Sequence, residues 1–453
     1  MPMSNEAQVS GQHNIVIQGV NESTITVSVD GNIHEIQNEL ARLRELMEGL
    51  KAQSFQTAEK IYNIGSIGEA NFSFVLGQAQ SERLLPGELQ ENLCSDDSAL
   101  IGSLREELRN EGVEVRANAN DIFQYYGWIV ETFLQKLRSD VGKHRNLRRL
   151  SFMAEAYHST VRYLCYIQTA QVLQDGLPKD PTVAAFLSMS QTMQERFDYL
   201  NLLVTTTALL EVSGNGFYVE RLPAFVNELK DSKSDLYRTA LFLDHHRQQL
   251  IGKGTELEGV GLDALLDEYL TALIYWLRRL SFLAHYRLVS IKNINLNYRM
   301  GSAQNFVHLY GELHGVYSQH EANEEDYAEL AREKEFTYNK SVLLLKGVDA
   351  QAGLRNFGQS EIPLSLSPLV IDQSVFTEKP TQTPEIYCYV GYDSASNTYH
   401  YAHHRNELPY PGLDKIPSNK PLVVRAQNNQ QPPLNEVFKQ LNQLFSRYLK
   451  PGQ

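Results

Sequence analysis

The sequence feature that most constrains this chain is a heptad repeat between Ile33 and Leu50. Its apolar residues alternate at three and four positions, the spacing that keeps one stripe of a helix facing a partner helix. The a positions hold Ile33, Leu40 and Met47, and the d positions hold Ile36, Leu43 and Leu50. The repeat therefore predicts a coiled-coil helix whose apolar seam is a candidate oligomerisation surface.

The sequence leaves open what covers this seam. A single helix of this length is only marginally stable in water, so it has to dock on other apolar surface. That surface belongs either to its own domain or to a second chain, and the heptad spacing fits both.

Two strand-like runs precede the repeat, at residues 15–18 and 23–29. The second run alternates apolar and polar residues, and the four residues Gly19-Val20-Asn21-Glu22 separate the runs. This pattern predicts a β-hairpin with one apolar face. A lone hairpin is marginal in water, so its apolar face also has to be covered.

The hairpin sequence NIVIQGVNESTITVSVDG, the helix after it and the tract AEKIYNIGSIGEANF carry a resemblance. Together they resemble the N-terminal adaptor or effector-associated regions of bacterial antiphage conflict-system proteins, which hold components of those systems together. The resemblance implies a cytoplasmic assembly component whose partners are itself, as a homo-oligomer, and another protein of the same system. This chain departs from effector-bearing members because no recognisable nuclease, protease or nucleotidase follows.

Composition excludes several other classes. A net charge of -13 argues against general nucleic-acid binding, which depends on Lys and Arg. The cysteines are far apart and form no C-x-x-C pair, so neither a zinc knuckle nor a disulfide framework is indicated. Residues 1–14 lack the features of a signal peptide, and the apolar stretch 269–286 is interrupted by two arginines. We therefore expect a soluble, cytoplasmic protein that does not act at a membrane.

Changes in periodicity predict three regions. Residues 1–77 form the hairpin and heptad-helix assembly region, residues 98–320 a helical domain, and residues 336–450 a small α+β domain. Long helices are predicted over 183–212 and 262–291. The predicted fold class is mainly α, with an N-terminal β-hairpin plus coiled-coil helix, a central multi-helix body and a C-terminal small α+β domain.

Two arginine pairs are candidate contacts for a ligand or partner, namely Arg148 with Arg149 and Arg278 with Arg279. Each pair lies in the same short motif, Leu-Arg-Arg-Leu-Ser-Phe. If the two helices lie side by side, the arginines form a cationic seam for an acidic or phosphorylated partner. The alternative is that each arginine pairs with an acidic residue on a neighbouring helix.

A histidine cluster on a predicted hairpin is the other candidate contact, and it consists of His400, His403 and His404. On a strand, His403 faces the side opposite to the other two, so the three imidazoles do not converge on a metal. We expect no metal and no cofactor. In a second stretch, residues 244–247 (Asp-His-His-Arg), His245 and His246 point about 100° apart on a predicted helix, so they are expected to be surface or cap residues rather than joint metal ligands.

No catalytic motif is present. Gly252-Lys253 lacks the earlier glycine and the following Ser or Thr of a phosphate-binding loop, and the hydrolase, metalloprotease and kinase signatures are absent. The sequence therefore predicts a non-enzymatic adaptor or sensor component of a bacterial antiphage defence or signalling assembly. The alternatives are an enzyme of an unrecognised family with a site near the C-terminal histidines, and a structural scaffold subunit.

Overall fold

A computed structural model gives the structure of the chain. It describes strand residues 7–8, 13–19 and 23–29, and residues 85–115, 119–257, 259, 261–297, 305–313, 328–332, 339–346, 363–376, 383–407, 410–411, 413, 420–426 and 432–449. Contacts divide the chain into two compact units, Met1–Gln78 and Ala79–Gln453.

The N-terminal unit contains a three-stranded sheet. Its strands are β1 (Ala7–Gln8), β2 (His13–Gly19) and β3 (Ser23–Val29), in the order β1-β3-β2. β2 and β3 are antiparallel, and β1 pairs with β3 in parallel. The predicted heptad helix lies outside the described residues.

Helices dominate the first part of the second unit. Those described are α1 (Gly87–Gln90), α2 (Asp97–Asn110), α3 (Ala119–Phe123), α4 (Trp128–Leu137), α5 (Leu147–Gln174), α6 (Pro181–Ser188), α7 (Tyr199–Ser213), α8 (Leu222–Lys230), α9 (Asp235–Lys253), α10 (Leu262–Arg279) and α11 (Pro432–Leu449). Polar side chains cap several of them at the N-terminus, where backbone N–H groups lack a helical partner. Asn146 caps α5, Asp198 caps α7 and Ser234 caps α9.

The helix α5 is the centre of this unit. It has 28 residues and is buried on nearly all sides, as expected for a helix enclosed by other elements. Helices α4, α7, α9 and α10 contact it. The indole nitrogen of Trp276 on α10 donates a hydrogen bond to Thr160 Oγ1 of α5 at 2.6 Å.

Two long helices expected from the sequence are shorter in the structure. The helix predicted over 183–212 is divided into α6 and α7, because Asp198 caps a new helix within it. The helix predicted over 262–291 ends at Arg279, and Tyr286 begins a strand. The strand sequence YRLVSIKNINLN is rich in branched residues that fit a pleated sheet better than a helix.

The prediction of a mainly α chain with only a small α+β part is wrong, because two antiparallel sheets are present. The strands are β4 (Tyr286–Asn297), β5 (Asn305–Glu312), β6 (Ala328–Arg332), β7 (Val342–Lys346), β8 (Leu364–Ser365), β9 (Val370–Asp372), β10 (Ile386–Asp393), β11 (Thr398–His403) and β12 (Leu422–Arg425). One sheet has the order β6-β5-β4-β7-β8 and the other β12-β11-β10-β9. The described part of this unit therefore combines helices and sheets.

One apolar core joins the helices to both sheets. It includes Leu150 of α5, Leu344 of one sheet and Tyr389 of the other. The two sheets are also linked directly, because Ser290 Oγ donates a hydrogen bond to Asp372 Oδ2 at 2.7 Å. Within the described residues, no helix has the length and apolar character needed to cross a membrane.

Candidate functional site

Three polar residues form a stripe along the buried helix α5, namely Glu155, His158 and Arg162. Spacings of three and four residues place them on one face of the helix. Glu155 and His158 are only 1% and 3% exposed, and Arg162 is partly buried. A charged stripe inside a core is costly unless other groups offset the desolvation, so the residues facing it are informative.

Arg247 of α9 faces this stripe and is 2% exposed. Its Nε lies 3.3 Å from Asp244 Oδ1, one turn earlier on the same helix. Its Nη2 donates to the backbone carbonyl of Glu195 at 3.2 Å. Its Nη1 is buried and has no hydrogen-bond partner among the described residues. The guanidinium is therefore only partly satisfied by the protein.

Tyr410, which follows β11, donates a hydrogen bond to Glu155 Oε1. Burial raises the pKa of Glu155, while the hydrogen bond from Tyr410 and the charge of Arg247 lower it in part. Burial likewise raises the pKa of Tyr410, so the phenol keeps its proton and acts as the donor. This contact connects the C-terminal part of the chain to the centre of α5.

Tyr199, at the start of α7, lies beside His158 with ring centroids 5.3 Å apart. Burial and the charges of Arg247 and Arg162 hold the pKa of His158 well below its usual value, so the imidazole is neutral. Burial raises the pKa of Tyr199 to about 12, although the charge of Arg162 lowers it. Neither Tyr199 Oη nor His158 Nε2 has a hydrogen-bond partner in the part of the chain that the structure describes.

We call these residues the α5 cluster: Glu155, His158, Arg162, Tyr199, Asp244, Arg247 and Tyr410. It offers two guanidinium groups, a phenol and a neutral imidazole within the core. Such groups donate hydrogen bonds to oxygen atoms, and arginine does so with a full positive charge. The α5 cluster is therefore suited to bind a polar, oxygen-rich group.

Each of the four candidate arginines forms an ion pair with its own carboxylate. Arg149 binds Asp97 and Arg278 binds Glu107, at opposite ends of helix α2. Arg279 binds Glu228 of α8, and Arg148 binds Glu407 beyond β11. The structure does not bring the four guanidinium groups together in one seam, because each is held by a different carboxylate.

The candidate histidines lie beside one of these ion pairs. The His404 ring contacts Trp128 of α4 with centroids 4.3 Å apart, and its Nδ1 lies 3.2 Å from the Ile386 carbonyl. His403 is also buried and contacts His404, whereas His400 is less buried. Burial is the largest of the effects that lower the pKa of both buried histidines, so both are neutral.

Glu407 connects this histidine region to the helices. It forms ion pairs with Lys136 of α4 at 2.7 Å and Arg148 of α5 at 3.0 Å. The charge of Lys136 also acts on His403 and His404, so Lys136 lies near both the Arg148–Glu407 ion pair and the buried histidines. Among the described residues, no group of three or more His, Cys, Asp or Glu side chains is placed to hold a metal ion.

The α5 cluster was not predicted from the sequence. Arg247, which follows His245 and His246 in the stretch 244–247, is buried. One signal was available: Glu155, His158 and Arg162 recur at helical spacing within a helix that also carries many apolar residues. No signal in the sequence pointed to Tyr199 or Tyr410, because their contacts depend on distant parts of the chain.

Comparison with known proteins gives no assignment, because no protein-family model, curated protein or solved structure matches the chain.

Proposed function

We propose that this chain is a non-enzymatic adaptor or sensor component of a bacterial antiphage defence or signalling assembly. It oligomerises or recruits a partner through its N-terminal region, and the larger unit acts as the sensing body. The observation that carries this proposal is the division of the contacts at Gln78 into two compact units.

The small size of the N-terminal sheet supports a role in association. A sheet of three short strands has little apolar surface of its own and needs cover to be stable. The heptad repeat in the same unit offers an apolar seam, and its helix remains a prediction from the sequence. A second chain that supplies the complementary sheet face or helix satisfies both needs.

The α5 cluster supports a sensing role for the larger unit. Buried charged groups from α5 and α9 meet there with tyrosines from α7 and the segment after β11. A group bound at this position contacts elements from distant parts of the chain, so binding can change how those elements pack.

The test of association is the mass of the full-length protein by light scattering. The variant Leu40→Glu/Leu43→Glu places two charges in the predicted seam and should dissociate the oligomer while the larger unit stays folded. A matched control, Asn38→Glu/Ala41→Glu, adds the same charges at positions outside the seam and should keep the mass of the wild type. Equal masses for wild type and seam variant contradict the proposal.

The test of the defence role is the plating efficiency of phages on the native host. An allele that carries Leu40→Glu/Leu43→Glu should raise plating to the level of a deletion, whereas the control allele should protect like the wild type. Equal protection by both alleles contradicts a role for the seam in defence.

A further inference from the structure

We propose that the α5 cluster binds a small oxyanion group, the phosphate or carboxylate of a ligand, through Arg162, Arg247 and Tyr199 beside His158. The role of this anion as the signal for the sensor rests on the proposed function. The binding itself does not depend on assembly.

The unused hydrogen-bonding capacity of the cluster is the first observation. Buried polar groups in proteins are normally satisfied, and each exception calls for a partner. Here Arg247 Nη1, Arg162 Nε, Tyr199 Oη and His158 Nε2 all lack a hydrogen-bond partner among the described residues. Arg247, His158 and Tyr199 are each at least nine-tenths buried.

The four side chains lie near one another although they come from three helices. His158 contacts the ring of Tyr199, and the charges of both arginines act on both of these residues. Arg162 lies one turn after His158 on the same face of α5. The four side chains therefore lie in one region of the core.

The charge of Arg162 indicates an anion. Asp244 and Glu155 both act on the charge of Arg247, whereas the hydrogen bond that Arg162 donates goes to the neutral hydroxyl of Tyr166 at 2.9 Å. Arg162 makes no ion pair with a carboxylate in the described ranges. A guanidinium in a core is strongly stabilised by an oxyanion, which accepts charge-assisted hydrogen bonds from it.

The experiment titrates the full-length protein with inorganic phosphate and, separately, with acetate. It uses isothermal calorimetry at pH 7.5 in an oxyanion-free buffer, with chloride keeping the ionic strength constant. Native mass spectrometry of the purified protein detects an anion that stays bound. We expect saturable binding of one anion per chain; tighter binding of phosphate indicates a phosphoryl ligand, and tighter binding of acetate a carboxylate ligand.

Two tyrosine variants make the test specific. Tyr199→Phe removes a hydroxyl that has no hydrogen-bond partner among the described residues, so the unliganded protein should keep its thermal midpoint while anion affinity falls about tenfold. Tyr126→Phe is the matched control, because its buried hydroxyl also lacks a described partner but lies near Glu107 and Glu111. Its affinity should equal that of the wild type.

A further variant, Arg247→Met, should abolish binding, and Tyr199→Phe keeps the test decisive if that variant does not fold. The proposal is overturned if neither anion binds saturably and native mass spectrometry shows no added mass. It is also overturned if Tyr199→Phe and Tyr126→Phe bind with the same affinity. Anion binding by a chain whose mass does not respond to the seam variant contradicts the proposed assembly but not this site.

Discussion

Tyr410 donates a hydrogen bond to Glu155 across 255 residues of sequence, inside a core that excludes solvent from both side chains. The pair connects the segment after β11 to the middle of the central helix. Nearby, Pro411 lies against Gly254, where a Cβ atom would come within 2.1 Å of the Pro411 carbonyl oxygen. This segment is therefore closely fitted to the helices on which it lies.

Tyr410→Phe should lower the free energy of unfolding by roughly 1 to 3 kcal/mol, because Glu155 stays buried and loses its donor. Chemical denaturation monitored by circular dichroism measures the change. Tyr387→Phe is the control, since that hydroxyl makes only a long contact of 3.4 Å with the Lys420 carbonyl. Its effect should stay below about 1 kcal/mol. Equal effects of the two variants contradict the role given to Tyr410.

Glu407→Gln should destabilise the protein by about 2 to 3 kcal/mol, because it leaves Lys136 and Arg148 close together without their shared carboxylate. Glu407 is 8% exposed, so water compensates little. Urea denaturation at two salt concentrations is the measurement.

Glu436→Gln is the matched control for this ion pair. Its partner Lys439 lies 3.7 Å away and both side chains are largely exposed. The change should be below about 0.5 kcal/mol and should vanish at high salt. A similarly small effect for Glu407→Gln would show that the buried pair contributes nothing to stability.

Gly127→Ala should destabilise the protein by about 2 to 4 kcal/mol for two reasons. Gly127 has φ of 89°, which disfavours a side chain, and an added Cβ would approach Tyr163 Cε1 to 2.7 Å. Thermal unfolding followed by calorimetry gives the comparison.

Gly102→Ala should have the opposite sign. Gly102 lies within helix α2, and an added Cβ there meets no atom within 4 Å. Alanine should stabilise the helix by about 0.5 to 1 kcal/mol. The backbone interpretation fails if both glycine variants shift stability in the same direction.

Acid should destabilise the fold through the buried histidines. The folded pKa of His403 is lowered to about 4, and that of His404 lies well below 6.5. Below pH 6.5 the unfolded chain takes up protons that the folded chain does not. The contribution of these two histidines to the free energy of unfolding is therefore fully present above pH 6.5. It is lost as the pH falls towards 4, by at most about 1.4 kcal/mol per pH unit for each histidine.

His404→Phe tests this slope, because phenylalanine keeps an aromatic ring beside Trp128 but does not titrate. Unfolding free energies between pH 4.5 and 7.5 should fall less steeply for the variant than for the wild type. Trp128→Phe should lower stability and keep the wild-type slope, since it removes no titrating group. Parallel curves for wild type and His404→Phe would assign the acid sensitivity to other groups.

The local sequence pattern was sufficient to predict those elements whose signals lie within a few residues of one another. The helix α5 was predictable from the helical spacing of its apolar residues. Local pattern was insufficient for β4, because its apolar residues continue a helical period from α10 and only pairing with β5 and β7 selects the strand. Strand pairing depends on segments far apart in sequence, which propensity does not describe.

By itself, the sequence determined the helix and strand signals, the overall acidity and the heptad seam. The tertiary structure alone decided which charged residues are buried and which partners they find. The arginines at 148 and 247 are identical in chemistry, yet one binds Glu407 and the other enters the α5 cluster. A charge is stable inside a protein only where the fold supplies groups that offset its desolvation, and those groups come from distant parts of the chain.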